Sequence, residues 1–78
     1  MGQIKALNDL KPHDKGKIIK ITGRGPLKRR LLDMGIIPGS ELEIVRVAPL
    51  GYPVEIIIKR YNLSLRKEEA KQVLIEIL

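Results

Sequence analysis

Glycine and proline punctuate the first two-thirds of this chain at short intervals: Gly16, Gly23, Gly25-Pro26, Gly35, Pro38-Gly39, Pro49, Gly51 and Pro53. Between those breaks there is room for a single strand or a short helix, not for a long one. The stretch beyond Pro53 is free of both residues, but it opens on Val54 to Lys59 (VEIIIK), which has strand composition. A helical bundle is therefore excluded. A doubly wound sheet needs more chain than 78 residues provide.

The segments between the breaks can be assigned from their residues. Leu7 and Leu10 predict an opening turn that covers the core edge. Lys17 to Thr22 (KIIKIT) predicts a strand ending at Gly23. Leu27 to Met34 predicts a short helix, with Pro26 at the first helical position, where a missing N–H costs nothing. Leu27, Leu31 and Met34 share one face of it. Gly35 suits the left-handed residue just past the helix, after which Ile36 folds back on the last turn. Ile37-Pro38-Gly39-Ser40 has the chemistry of a type II turn.

Glu41 to Val47 predicts the next strand, with Leu42 and Ile44 on one face and Val45 and Val47 on the other. That switch predicts a bulge, or a strand passing between two packed layers. Val54 to Lys59 and Asn62 to Leu65 predict two more strands, Arg66 to Gln72 a helix of about two turns, and Val73 to Leu78 a closing strand. Four or five short strands with two brief helices make a mainly β fold, best drawn as a small, strongly bent antiparallel barrel. One domain over residues 1–78 is expected, and 27 Ile, Leu and Val residues suffice for its core.

Composition removes most chemistry. Without cysteine there is no disulfide, thiolate zinc site, iron–sulfur cluster or cysteine nucleophile. A single histidine supports neither a multi-histidine metal site nor a nucleophile–base–orienter set, so the chain is expected not to be an enzyme. No apolar run approaches the roughly 18 residues of a membrane span. The opening MGQIKALNDLKPHDKGK is too polar for a signal peptide, so a cytoplasmic location is expected. The net charge of +6 invites anionic partners. Its even spread, with two tyrosines and no other aromatic residue, weighs against a specific single-stranded nucleic-acid site.

A few motifs can carry binding. Gly23-x-Gly25 lacks the third glycine, lysine and hydroxyl of a phosphate loop, and is expected to be a plain strand-to-helix turn. Lys28, Arg29 and Arg30 form the densest basic cluster, with Lys28 and Arg29 off the apolar helix face. Arg30 borders that face, where it either packs its stem on the core edge or makes a specific ion pair. Leu32 points roughly 140° from Leu27 on an ideal helix, toward a second core contact or toward a partner. Ala48 to Pro53 (APLGYP) holds Leu50 and Tyr52 in a stiff loop, as a cover over the barrel end or as a preformed contact surface. Asp9, His13 and Asp14 are too few to complete a metal site alone.

Three blocks together resemble a known family. Leu31-Leu32-Asp33-Met34-Gly35-Ile36-Ile37-Pro38-Gly39-Ser40, Ala48-Pro49-Leu50-Gly51-Tyr52-Pro53-Val54 and Leu63-Ser64-Leu65-Arg66-Lys67-Glu68-Glu69-Ala70 are similar, in order, to the conserved segments of the FeoA family, ferrous iron transport protein A. The resemblance implies an SH3-like barrel and a cytoplasmic accessory to the membrane ferrous iron transporter FeoB, which carries a GTP-binding domain. With no room for a DNA-binding domain, the free-standing form is expected rather than the module fused to metal-dependent repressors. Tyr52 stands where the family often has Asp, and His13 follows Pro12 where a Gly is common, so neither feature transfers.

The expected function is thus a protein-interaction module on the transporter's cytoplasmic part. The expected contact residues are Leu50, Tyr52, Leu32, Arg29 and Arg30. An RNA-binding SH3-like domain, using Lys17, Lys20, Arg24, Lys28 and Arg29 on phosphates, and a small transition-metal-binding regulator are the alternatives. No resident cofactor is expected, while weak Fe(II) or other divalent-metal binding and self-association are left open.

Overall fold

The computed structural model describes residues 2–78. Six strands form one antiparallel sheet: β1 (Ile4–Ala6), β2 (Lys15–Ile21), β3 (Glu41–Val47), β4 (Val54–Ile58), β5 (Tyr61–Leu65) and β6 (Val73–Ile77). Their order across the sheet is β1-β6-β2-β3-β4-β5. A 3-10 turn over Leu7–Asp9 follows β1, α1 (Gly25–Asp33) links β2 to β3, and α2 (Lys67–Ala70) links β5 to β6.

The sheet folds over at β2. Its first residues, Lys15 to Lys17, pair with Glu41 to Glu43 of β3. The rest of the strand, through Ile21, pairs only with β6. The register slips between Ile18 and Lys20, which turns Ile19 outward and bends the strand. Gly16 sits at the crossing, where a Cβ would collide with the Ile75 side chain and lie 2.9 Å from the Glu76 carbonyl. The expected bulge in β3 is present. The register shifts between Ile44 and Arg46, so Ile44 is buried, Val45 faces out and Val47 packs on the core.

The core between the two halves of the bent sheet is aliphatic, and Leu7, Ile18, Leu31, Ile36, Ile44, Ile56, Ile58, Leu65 and Ile75 are its largest fully buried side chains. Leu31 enters it from α1, with Leu27 and Met34 packed alongside, as the helical spacing requires. The end of α1 is a Schellman motif: the Gly35 N–H donates to Leu32 and the Ile36 N–H to Leu31, both at 3.0 Å, with Gly35 at φ 93°. Ile36 is buried with Leu31, the apolar contact that accompanies such an ending. The Ile37–Ser40 turn closes with a 3.0 Å bond and Gly39 at φ 95°, as a type II turn demands.

Several boundaries differ from expectation: β2 runs Lys15–Ile21 rather than Lys17 to Thr22, and β4 and β6 each end one residue earlier, at Ile58 and Ile77. Strand β1 is too short and too exposed to leave an alternating pattern. α1 is assigned from Gly25, yet Gly25 itself has φ 66°, so Pro26 is the first residue able to be right-handed helical. α2 has four residues rather than two full turns. β5 begins at Tyr61, because the chain reverses in two residues, Lys59 and Arg60, with no Gly or Asn to announce the turn.

Candidate functional site

The Ala48–Pro53 loop is fixed by its own backbone. The Gly51 N–H donates to the Ala48 carbonyl at 2.7 Å, and the Ala48 N–H to the Pro53 carbonyl at 3.3 Å. Pro49 and Leu50 therefore occupy the corners of a closed turn, with Gly51 at φ 92° after them. Leu50 is 91% exposed, so of the two accounts of this residue, core cover is excluded. Tyr52, half-buried, leans on α2: the Lys67 Nζ lies 5.5 Å from the ring centroid, a cation–π distance. Tyr52, Pro53, Ser64, Arg66, Lys67 and Glu68 line a shallow groove at the foot of this loop.

A second tie runs from α2 to α1. Glu69 is buried to 3% exposure. Its Oε1 accepts the Arg66 N–H at 2.8 Å, the glutamate half of a capping box. Its Oε2 lies 3.3 Å from the Arg30 Nε, as an ion pair outside hydrogen-bonding geometry. Arg30 thus makes the specific ion pair, while its side chain stays 56% exposed. The four residues of α2 hold both parts of the expected contact surface, Tyr52 through Lys67 and Arg30 through Glu69.

Leu32 lies outside the core at 37% exposure, and Arg29 is exposed without an ion-pair partner among the described residues. Neither shares in the α2 ties. Lys67 and Glu69 are the organising residues that sequence reasoning missed. For Glu69 the available signal is its spacing of three from Arg66, the residue before the helix. His13 sits exposed at φ 77°, and the Asp14 Oδ2 is taken by the Lys11 N–H at 2.8 Å. Among the described residues no three His, Asp or Glu side chains converge. None of their helices is long and apolar enough to cross a membrane. What this loop offers chemically is an apolar anchor on a closed turn, tied to α2 through Tyr52 and Lys67.

Residues 5–77 match the family model described as the FeoA domain. This chain belongs to the FeoA family. An Fe(2+) transport protein A/Fe(2+) transporter FeoB fusion protein of Porphyromonas gingivalis is 38% identical over 72 residues. The match covers 92% of this chain and only 8% of that relative's length. A FeoA-like protein of Clostridium acetobutylicum shares the fold with a TM-score of 0.90 and 40% identity, over all of this chain and 91% of its own. FeoA of Stenotrophomonas maltophilia, an SH3 domain protein whose crystals contain zinc, superposes with a TM-score of 0.80 at 25% identity, over 92% of this chain and 89% of its own. The expected fold class, a mainly β SH3-like antiparallel architecture with short helices, is therefore the observed one.

Proposed function

We propose that this FeoA-family chain is a cytoplasmic accessory of ferrous iron transport, acting without catalysis as an interaction module on the cytoplasmic part of an FeoB-type transporter. The observation that carries the reading is Leu50, a large apolar side chain almost wholly in water on a turn closed by its own hydrogen bonds. A residue so placed adds nothing to the core, and it has little ordering entropy left to lose on binding. The Porphyromonas relative, in which the homologous segment is part of an FeoB fusion, supports the choice of partner, because fusion keeps two binding modules at high effective concentration. Tyr52 flanks the anchor, and Leu32, Arg29 and the outer edge of Arg30 extend the surface along α1.

Leu50→Ala tests this. Affinity for the transporter's soluble cytoplasmic domain, read by calorimetry, should fall by about 1–3 kcal/mol, as for a buried interface anchor. Denaturant unfolding of the variant should move by no more than about 0.5 kcal/mol, as for an exposed position. Full affinity in an equally stable variant would remove Leu50 from the interface and overturn the reading.

A further inference from the structure

Strand β5 is an uncovered edge. It pairs with β4 on one side, and the sheet order ends there. Ile58 and Tyr61 close the two-residue turn as a hydrogen-bonded pair, and such pairs alternate along an antiparallel ladder. Tyr61, Leu63 and Leu65 therefore direct their N–H and C=O groups at β4. Asn62 and Ser64 direct theirs outward, with no strand to receive them among the described residues.

The residues directly before and after the edge are basic. Lys59 and Arg60 precede it, Arg66 and Lys67 follow it, and all four are exposed. Five strand residues separate the two basic pairs by about 17 Å. The acidic groups nearby are Asp33 at one end and Glu68 and Glu69 at the other; Glu69 is buried and held by the Arg66 N–H and Arg30, and Glu55 is engaged with Arg46 at 3.8 Å. Beside the edge, under the end of α1, Met34, Ile58, Tyr61 and Leu63 line a partly apolar groove.

This charge pattern selects the occupant. A second copy paired antiparallel about Leu63 would set Lys59 against Lys67 and Arg60 against Arg66, twice over. Like charges placed opposite one another across strands are destabilising. An acidic strand meets the same four cations as counter-ions and places an apolar side chain toward the groove.

We propose that the free edge of β5 is a second docking site, taking an extended acidic segment of a partner protein as an added strand. The main-chain groups of Asn62 and Ser64 supply the hydrogen bonds, and the flanking basic pairs supply the selectivity. This site is separate from Leu50 and stands or falls without it.

A capped heptapeptide of alternating Glu and Val, titrated into isotope-labelled protein, is the probe. The largest amide shifts should fall at Asn62 and Ser64, whose hydrogen exchange should slow. A Lys-Val counterpart should bind at least about tenfold more weakly, as should the acidic peptide to a Lys59→Glu/Arg60→Glu variant. N-methylation at the peptide's centre should abolish binding, a result that depends on no variant folding. Leu50→Ala should leave the peptide affinity unchanged, which separates this proposal from the transporter reading. Equal binding of the lysine peptide, shifts confined to the Leu50 loop, no shift at millimolar peptide, or a concentration-dependent dimer through β5 would each overturn it.

Discussion

Lys59 and Arg60, the two residues of the β4–β5 turn, sit at φ 49° and 74°. Positive φ at both corners is the type I′ geometry that suits the right-handed twist of a hairpin, and Asn-Gly is the pair it favours. A side chain with a Cβ costs about 1–2 kcal/mol in that region. Arg60→Gly removes the Cβ at the second corner, and Lys59→Asn places at the first a short polar side chain that tolerates this region better; neither change touches the core, since both side chains are exposed. Glycine returns roughly 0.5–1 kcal/mol through the greater freedom of the unfolded chain. The net expectation is a gain of about 1 kcal/mol, or roughly 4–8 °C in midpoint for a domain of this size. Urea unfolding with an unchanged slope and a thermal scan would measure it. No gain, or a loss, would mean that the basic side chains themselves stabilise the hairpin, and the strain argument would be wrong. The same double variant removes two of the four cations beside β5, so it should become more stable while binding the acidic peptide less well. Residues kept in a costly conformation cluster where a function needs them.

Two further outcomes follow from the packing. Glu69→Ala should cost about 1–3 kcal/mol in denaturant unfolding, because the Arg66 N–H loses its acceptor; Glu69→Gln, which keeps an acceptor oxygen, should cost less. Gly16→Ala should destabilise by about 1–3 kcal/mol, since the new methyl meets the Ile75 side chain and the β6 backbone. A neutral result there would show that β2 and β6 can separate at their crossing.

The parts of the fold that were legible in the sequence are those where one residue type has one local use. Gly35 and Gly39 ended a helix and set a turn because each needs positive φ, and the structure gives them 93° and 95°. The β3 bulge was legible because a change of apolar face needs an odd residue, and Val45 is that residue. What failed was where tertiary context overrides local preference. Ile4–Ala6 becomes a strand only because Leu74 to Glu76 offers an edge to pair with. Lys59-Arg60 becomes a hairpin turn although neither residue favours it, because the facing apolar residues Ile56 and Leu63 hold the register. Propensity carries no record of a partner strand.

The candidate surface was legible to the same limit. Leu31 and Leu32 are neighbours in sequence, and helical geometry alone separates the buried one from the half-exposed one. No such rule reaches Leu50, since a loop has no period, and its 91% exposure could only be seen in the fold. Charge shows the same boundary more sharply. Along the chain the basic residues are dispersed, which weighs against a specific single-stranded nucleic-acid site. The β4–β5 hairpin then sets Lys59 and Arg60 at one end of β5, and the entry into α2 sets Arg66 and Lys67 at the other. A strand is the element for which sequence spacing becomes a straight-line distance, so two pairs that look scattered in the chain become two fixed ends of one edge. The main-chain donors and acceptors between them come from Asn62 and Ser64, whatever their side chains, and composition cannot register them. An edge of this kind is identified by pairing order and flanking charge together, and each of the two is blind without the other.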